Sequence, residues 1–371
     1  MKKLLLFAMA LCLMLGACNR SQSNVARYVP EKNFMDQMDT IPVRLYTLHN
    51  NYLSAQVTNY GARVVSLYTP DRNGNPDNIL VGHDNLKDYV IARGERYLGA
   101  VAGPVTGRIS GGSFTMDGVT YQTEKNDGDN TFNGGSLGVD KRPWKVLIQN
   151  DSTLNMQVVL PDGDGGFPGK RVIQVTYALT GNSFMVLIRA FADARTPLSL
   201  AWQPWFNLHG EGEGTVEDHR LAISALSFLP VNMDGNPTGD VTPVRNTPFD
   251  YLSMHTLGEG LKDLKGDFNN TWCLVMENNF PMHEACAMID PVSGRKVTVL
   301  TNRPGLQVST AGAFDGVIPG TNGKPIAKHG AVLLSAQDWP DAVNQPLFPT
   351  VFVDPAGYFA STAIYRFETI D

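Results

Sequence analysis

Alternation of apolar and polar residues at every second position is the feature that most limits what this chain can form. In KRVIQVTYAL, residues 170–179, the side chains of Ile173, Val175 and Tyr177 fall on one face of an extended backbone, as in a strand with one buried face. The next segment, SFMVLIRAF at 183–191, is apolar on both faces, as a central strand would be. Helical periodicity is hard to find after residue 40, so the pattern predicts an all-β fold.

Turn signals divide the remaining apolar runs into further short strands. SFTMDGVTYQ has two runs around Asp117-Gly118, a strong signal for a two-residue hairpin. Strand patterns recur in TWCLVME, ACAMID, KVTVLT, AVLLSA and STAIYRF, with no internal repeat and no Pro/Ser-rich linker. We therefore predict one large, mostly antiparallel β domain over residues 41–371, a sandwich whose wide concave face can hold a ligand.

The N-terminal residues have the features of an export signal. Lys2 and Lys3 precede an apolar run, residues 4–17, which is shorter than the about 20 residues needed to span a bilayer. The run ends in Leu-Gly-Ala before Cys18, which resembles a bacterial lipobox. The sequence predicts a lipoprotein signal peptide over 1–17 and acylation of Cys18; a plain secretory peptide is the alternative.

Residues 18–40 are polar and aperiodic, so we interpret them as a lipid-anchored tether. The predicted location is the bacterial cell envelope. Asn19, rather than an acidic residue, follows Cys18, which favours the outer membrane, facing the periplasm. The membrane partner would be bound through the lipid at Cys18, and the oligomeric state is not indicated.

Charge and cysteine content exclude several classes of function. The net charge is −6 and there is no basic run, which argues against nucleic acid binding. Cys273 and Cys286 are the cysteines left after the tether, and they could either pair in an oxidising periplasm or be two buried thiols. The sequence has no CxxC or Cys/His cluster, so we predict no metal site and no cofactor.

Four segments, in order, carry a family resemblance. They are GPVTGRISGGSFTMDGVTYQTEKNDGDNTFNGG (103–135), PDGDGGFPGKRVIQVTYAL (161–179), ARTPLSLAWQPWFNLHG (194–210) and HGAVLLSAQDWPDAVNQPLFP (329–349). Together they resemble the aldose 1-epimerase (galactose mutarotase) family, over about residue 42 to the end. The resemblance implies a large antiparallel β-supersandwich and a mono- or oligosaccharide as the partner.

The family reaction interconverts the α and β anomers of an aldose by opening the ring. A base takes the proton of the anomeric hydroxyl while an acid protonates the ring oxygen, work that suits groups with pKa values near the working pH. By resemblance, the base Glu falls on Ser335, the acid His on Gln203 and the assisting His on Asn133. A sugar-binding Asp falls on Asn269, and the family Arg is kept as Arg108.

These replacements are polar and uncharged, so they can form hydrogen bonds but do not titrate near pH 7. We therefore predict carbohydrate binding with weak or no mutarotation. The predicted substrate-binding residues are Arg108, Asn133, Gln203, Trp205, Asn269 and Ser335. The tryptophans near these positions, Trp202, Trp205 and Trp339, could face a sugar ring or lie in the core.

Whether the chain is an enzyme stays open at this point. The alternative function is an active aldose 1-epimerase that uses other acid/base groups. The ionisable candidates near the matched segments are Arg108, Asp129, His209, His329, Asp338 and Asp341. A structural role at the envelope is the third possibility, and it predicts a filled or absent cleft.

Overall fold

A computed structural model describes residues 26–92, 97–276, 281–317 and 319–370. The predicted signal peptide, the anchor residue Cys18 and the first part of the predicted tether lie outside the described residues. Within these ranges, no helix has the length and apolar character needed to cross a membrane.

The described residues form twenty-nine strands, two short α-helices and four single-turn 3₁₀ segments. The strands are β1 (Asp36–Met38), β2 (Ile41–Val43), β3 (Leu45–His49), β4 (Ser54–Thr58), β5 (Arg63–Pro70), β6 (Pro76–Asn78), β7 (Val101–Ala102), β8 (Arg108–Ile109), β9 (Ser113–Met116), β10 (Val119–Gln122), β11 (Thr131–Phe132), β12 (Lys145–Gln149), β13 (Thr153–Leu160), β14 (Arg171–Thr180), β15 (Ser183–Ala192), β16 (Thr196–Pro197), β17 (Ala201–Trp202), β18 (Trp205–Phe206), β19 (Arg220–Ile223), β20 (Ala225–Leu229), β21 (Thr242–Pro243), β22 (His255–Thr256), β23 (Asn269–Leu274), β24 (His283–Ile289), β25 (Arg295–Thr301), β26 (Gly305–Ser309), β27 (Val332–Gln337), β28 (Phe352–Val353) and β29 (Phe359–Thr369). The helices are α1 (Leu86–Ile91) and α2 (Leu257–Leu264), and the 3₁₀ segments are Glu31–Phe34, Ser110–Gly112, Val139–Lys141 and Asp164–Gly166.

Three antiparallel sheets carry most of these strands. A nine-stranded sheet has the order β12-β13-β14-β15-β29-β25-β24-β19-β22, and a six-stranded sheet has the order β18-β27-β26-β23-β20-β21. A four-stranded sheet, β3-β4-β5-β6, and five two-stranded pairs complete the set among the described residues. The predicted all-β, antiparallel architecture is confirmed.

The sheets share one apolar core, which explains how they are held face to face. Leu67 of β5, Val175 of β14 and Leu334 of β27 come from the three different sheets, yet they belong to one buried cluster. Two tyrosine hydroxyls link the layers: Tyr177 donates to the Ala62 carbonyl at 2.6 Å, and Tyr365 donates to the Leu334 carbonyl at 2.9 Å. Burying one such aliphatic side chain stabilises the fold by about 1.5–3 kcal/mol.

The strand predictions made from alternation and turns hold closely. β9 and β10 pair across Asp117-Gly118, where both residues have positive φ, 52° and 78°, as a type I′ turn requires. In β14, Ile173 and Val175 are buried while Val172, which points to the other face of the strand, is only half-buried, in agreement with the predicted face.

The folded region begins earlier than the predicted boundary at residue 41. Phe34 is fully buried, and Val29 lies in the same apolar cluster; the Val29 amide also donates to Gln56 Oε1 at 2.7 Å. β1 then pairs with β2. The predicted tether is therefore packed against the domain from about Val29, through two buried apolar side chains, the hydrogen bond to Gln56 and the pairing of β1 with β2.

Cys273 and Cys286 are both free and buried. They lie on β23 and β24, which belong to the six-stranded and nine-stranded sheets respectively, so they do not face each other across a hairpin. Of the two alternatives, the structure shows buried thiols. Burial raises the pKa of the Cys273 thiol to about 11.

Candidate functional site

The outer face of the six-stranded sheet forms the floor of a cavity. Along β27, Val332 and Leu334 belong to the core, so alternation places Leu333, Ser335 and Gln337 on the opposite face. The neighbouring strands continue this face, because Gln307 of β26 lies opposite Ser335. The same sheet thus uses one face for stability and the other for the site.

Hydrogen bonds between side chains fix the polar part of the floor. Thr271 lies opposite Gln307, and its hydroxyl donates to Gln307 Oε1 at 2.6 Å. Gln307 Nε2 donates to Asn269 Oδ1 at 2.9 Å. Each carboxamide is therefore held in one orientation, and Asn269 presents its Nδ2 rather than its oxygen as the unused group.

The cavity has a volume of about 350 Å³, within the range of small-molecule sites. Its polar lining residues are Thr106, Arg108, Asp127, Asn133, Gln203, Asn269, Thr271, Gln307, Ser309 and Gln337. Its large apolar and aromatic lining residues are Tyr97, Phe132, Trp205, Leu229, Val231, Phe314 and Leu333. The described lining contains no histidine, glutamate or lysine.

Gln203 and Ser335 form a neutral hydrogen-bonded chain at the floor. Gln203 Nε2 donates to Ser335 Oγ at 3.1 Å, and that hydroxyl donates to the Trp202 carbonyl at 2.7 Å. Ser335 is fully buried and does not line the cavity. Because Nε2 is used in this way, Gln203 presents its Oε1 to the cavity.

Asn133 is held by the backbone beside Arg108. Its side-chain Oδ1 accepts from the Gly107 backbone N–H at 2.8 Å, and its backbone N–H donates to the Gly107 carbonyl at 2.9 Å. Its φ of 50° is positive, a conformation that Asn tolerates better than most residues. This double contact fixes the carboxamide with Nδ2 as its unused group.

Arg108 and Asp127 are an ion pair in the cavity wall. Arg108 Nε lies 2.7 Å from Asp127 Oδ2, and Nη1 donates to the Gly235 carbonyl at 3.3 Å. The guanidinium also lies over the Phe132 ring, 5.0 Å from its centroid. Asp127 is the one carboxylate among the described lining residues, and its charge is offset by Arg108.

Five of the six predicted binding residues come together in the lining. They are Arg108, Asn133, Gln203, Trp205 and Asn269. The sixth, Ser335, lies behind Gln203 as described above. Asn133, Gln203 and Ser335, the positions at which the resemblance implies acid/base groups, are thus in or next to one cavity, although they are distant in sequence.

The three tryptophans have different environments. Trp205 lines the cavity and contacts Phe314 with ring centroids 4.7 Å apart. Trp202 is buried in the core and donates to the Gly99 carbonyl at 2.9 Å. Trp339 contacts Phe348, with ring centroids 5.0 Å apart. Only Trp205 of these three lines the cavity.

Most of the ionisable candidates for an alternative mechanism lie away from the cavity. Those outside the lining are Asp129, His209, His329, Asp338 and Asp341. His329, for example, lies between Glu217 at 2.8 Å and Asp267 at 2.6 Å. Asp129 is exposed and pairs with Lys125 at 3.5 Å. Arg108 alone of the six candidates faces the cavity.

Several lining residues were missed from the sequence. Gln337 could have been found, because it lies two residues after Ser335 on the same face of a strand. Asp127 lies in the loop that leads to Asn133, whereas Gln307 and Phe314 lie outside the four segments that carry the resemblance. Phe314 reaches Trp205 from a distant part of the chain.

A buried carboxylate holds the segment behind the Phe314 wall. Glu211 Oε1 accepts from the amides of Gly82 at 3.1 Å and Thr321 at 2.9 Å, and Oε2 accepts from Asn78 at 3.1 Å. Burial raises the pKa of Glu211 to about 7, while these hydrogen bonds act in the opposite direction. The contacts tie the 319–324 segment to the strand that precedes α1.

Outside the cavity, two histidines and two aspartates form a network. His209 Nδ1 lies 2.9 Å from Asp290 and its Nε2 lies 3.0 Å from Asp218, and His219 Nδ1 lies 3.3 Å from Asp218. The hydrogen bond with Asp290 raises the pKa of His209. Burial lowers the pKa of His219 to about 4. At neutral pH, His219 is therefore uncharged.

Three of these residues are spaced closely enough to hold a metal: His209, Asp218 and His219. The tautomer of His219 argues against it. The Leu208 amide donates to His219 Nε2 at 2.9 Å, so the proton of the neutral ring is on Nδ1, the atom that would have to bind the metal. The network is better described as hydrogen-bonded support for the fold.

Comparison with known proteins agrees with this geometry. The sequence pattern of the family described as aldose 1-epimerase matches residues 44–366. The chain is 35% identical over 328 residues to the galactose mutarotase of Sus scrofa, covering 88% of this chain and 94% of that protein. It is 30% identical over 339 residues to the aldose 1-epimerase of Escherichia coli K12, covering 89% and 96%.

Solved structures give the same result. A GalM/aldose epimerase homologue from C. elegans has a TM-score of 0.83 at 25% identity, covering 89% of this chain and 100% of that one. The galactose 1-epimerase of Lactobacillus acidophilus NCFM has a TM-score of 0.77 at 25% identity, covering 91% and 97%. By sequence and by structure, the chain belongs to the aldose 1-epimerase family.

Proposed function

We propose that this protein binds carbohydrate in its cavity and catalyses anomer exchange weakly or not at all. One observation carries the proposal: the three positions at which the family resemblance implies proton-transfer groups hold Asn133, Gln203 and Ser335. Asn133 and Gln203 line this cavity, and Ser335 is hydrogen-bonded behind Gln203. The site keeps its shape and its polarity while lacking side chains that titrate near neutral pH.

The chemistry of ring opening makes this loss decisive. A proton must leave the anomeric hydroxyl and another must reach the ring oxygen, and general acid and base groups each contribute about 10²–10⁴-fold to such steps. An amide and an alcohol hold hydrogen bonds without gaining or losing a proton near pH 7. Ser335 is further restrained, because its hydroxyl is already bonded to Trp202 and Gln203.

The same residues support binding. Hydroxyl groups of a sugar can both donate and accept, and the fixed carboxamides of Asn133, Gln203 and Asn269 offer both kinds of partner. Trp205 adds an aromatic face in the lining, which suits the C–H face of a sugar ring. A closed or filled cleft, as expected for a purely structural role, is not what the described residues form.

The alternative function is active mutarotation by other groups. It is favoured by the 35% identity with a galactose mutarotase over most of the chain and by the Asp127 carboxylate in the lining. The ion pair with Arg108 weighs against it, since one carboxylate oxygen of Asp127 is already engaged by the guanidinium at 2.7 Å.

Anomer exchange and sugar binding together test the proposal. The full chain, purified in detergent, is mixed with fresh α-glucose or α-galactose at pH 5 to 8, and optical rotation is followed beside the E. coli aldose 1-epimerase. We expect the rate of buffer alone, with saturable binding of sugar by calorimetry. A rate within about tenfold of that enzyme, or ~1.4 kcal/mol of barrier, would overturn the proposal, and its loss in Asp127→Asn would identify the base.

We also propose that the chain is a lipoprotein of the bacterial envelope, anchored at Cys18 in the outer membrane and facing the periplasm. The basic start, the short apolar run and the Leu-Gly-Ala-Cys motif support this. Metabolic labelling with a radioactive fatty acid should mark the protein and should not mark Cys18→Ser. Labelling that persists in that variant would contradict the anchor, and membrane fractionation tests the location.

A further inference from the structure

The hydrogen-bonding groups of the cavity are unevenly used. In Asn133 and Asn269, the side-chain oxygen already accepts a hydrogen bond, from the Gly107 amide and from Gln307 respectively. Among the described residues, neither Nδ2 group has a partner. Both carboxamides are therefore fixed so that they present donors to the cavity.

Arg108 adds a charged donor to the same wall. Its Nε is used by Asp127 and its Nη1 by Gly235, whereas Nη2 has no partner among the described residues. Asn133 is clamped to Gly107, the residue before Arg108, and Phe132 pairs with Arg108 in register. Arg108 Nη2 and Asn133 Nδ2 thus belong to adjacent residues of one wall.

Two of the oriented side chains present acceptors to the cavity. Gln203 presents its Oε1, because its Nε2 is bonded to Ser335. Asp127 presents one carboxylate oxygen, since the other is paired with Arg108. Gln337 is buried in the lining, and its carboxamide has no hydrogen-bond partner among the described residues. That carboxamide can either donate or accept a hydrogen bond.

We propose that the ligand is a sugar that carries a carboxylate, of the uronic acid class, and that Arg108 and Asn133 receive that carboxylate. This inference rests on the proposed carbohydrate binding and specifies its substrate class. An ionised carboxylate is an acceptor only and can satisfy several donors at once. A neutral sugar fills the same places with hydroxyls, each of which also has a proton to donate.

The charge of the cavity permits this ligand. Asp127 is the one carboxylate of the described lining, and Arg108 lies 2.7 Å from it, so an incoming anion meets no uncompensated negative charge. Asp127 bonds Arg108 through Nε and the Gly235 carbonyl bonds it through Nη1, which leaves Nη2 to donate to a second carboxylate. Charge-assisted hydrogen bonds of this kind are stronger than neutral ones.

The test compares an acid with its own methyl ester, which removes the charge and keeps the ring. Calorimetry with the full chain at pH 7 and low salt is done with galacturonate, glucuronate, their methyl esters, galactose and glucose. We expect an acid to bind at least about tenfold more tightly than its ester, which is 1.4 kcal/mol. The advantage should shrink as salt is added, because salt screens charge interactions.

Two variants assign the effect to this wall. Arg108→Gln with Asp127→Asn removes both charges and keeps the wall neutral, so it should abolish the preference for the acid over its own ester. The matched control is Lys125→Gln with Asp129→Asn, which removes an exposed pair outside the cavity and should keep the preference. Asp127→Asn alone should strengthen acid binding several-fold.

The outcomes separate this inference from the function on which it rests. If an ester or a neutral sugar binds as tightly as the acid, the carboxylate inference is wrong and carbohydrate binding stands. If no sugar binds, both fail. If the acid is preferred but the double variant at Arg108 and Asp127 keeps that preference, the assignment to this wall is overturned.

Discussion

Two polar clusters of the molecule differ in a way that bears directly on function. The cavity cluster, Asn133, Gln203 and Ser335, is uncharged; its first two members line the cavity and the third is hydrogen-bonded behind Gln203. The histidine cluster, His209, Asp218, His219 and Asp290, can titrate, but none of its members lines the cavity.

The difference teaches that proton-transfer chemistry cannot be inferred from the residue types that a fold contains. Histidines and carboxylates are present, and burial and hydrogen bonds shift their pKa values in opposite directions. Such shifts are also typical of catalytic sites. Here they accompany a closed network, while the open site is neutral, so position and access decide between a structural and a catalytic role.

The largest expected effect comes from placing titratable groups in the cavity cluster. Asn133→His, Gln203→His and Ser335→Glu together should raise the rate of anomer exchange by at least about 10²–10⁴-fold, the contribution of one positioned acid or base. Optical rotation of fresh α-galactose measures the rate.

The control for this triple variant places the carboxylate at a neighbouring position of the same cavity. Ser309 lines the same cavity on β26, so a triple variant with Ser309→Glu in place of Ser335→Glu has the same charges at a different position. It should exchange anomers slowly. If the Asn133→His, Gln203→His, Ser335→Glu variant folds and binds sugar but exchanges anomers no faster than the original chain, the comparison between the two clusters fails. The position of titratable groups would then not be what limits the rate.

The next effect concerns the histidine cluster and stability. Buried His219 has a pKa of about 4 in the folded chain, against about 6.5 when unfolded. Between these values the unfolded chain binds a proton that the folded chain does not, so stability falls as the pH falls. From pH 6.5 to 5 the loss should be about 2 kcal/mol of unfolding free energy.

Urea denaturation of His219→Gln measures this contribution. The variant should lack that part of the acid-induced loss, and other groups, buried Glu211 included, cancel in the difference between the two proteins. His49→Gln, at an exposed histidine, is the matched control and should keep the original pH dependence. Sugar binding at pH 7 should not change in either variant, and a change at His219 would link the two clusters.

Sequence reasoning predicted the elements of this fold better than its boundaries. Alternation fixed β14, and the Asp117-Gly118 turn fixed the β9–β10 hairpin, because both are local signals. The packed start at Val29 and Phe34 was missed, since two apolar residues in a polar stretch have no period. Their burial depends on a groove that only the folded sheets provide.

The site was predictable to the extent that family positions could be placed on this chain. Asn133 and Gln203 line one cavity, and Ser335 lies behind Gln203. The orientation of each carboxamide was not predictable, because it depends on partners from other strands, such as Gln307 for Asn269. The roles of Trp202 and Trp205 could not be separated either, since alternate positions of one segment face a core and a cavity.

The smallest expected effect is on stability, and it tests whether the hydrogen bonds that join Gln203, Ser335 and the Trp202 carbonyl depend on one another. Ser335→Ala leaves the Trp202 carbonyl and Gln203 Nε2 without their partner, which should cost about 1–2 kcal/mol of unfolding free energy. Gln203→Met removes the other side of the bond with little change of volume. In a double-mutant cycle the two should couple by about 0.5–1.5 kcal/mol.

Ser309→Ala with Gln203→Met is the control, since no hydrogen bond joins that pair among the described residues, and their effects should add. Equal additivity in both cycles would mean that Gln203 is oriented by the cavity wall rather than by Ser335. The acceptor that Gln203 presents to a sugar would then be free to turn, and Ser335 would have no part in binding.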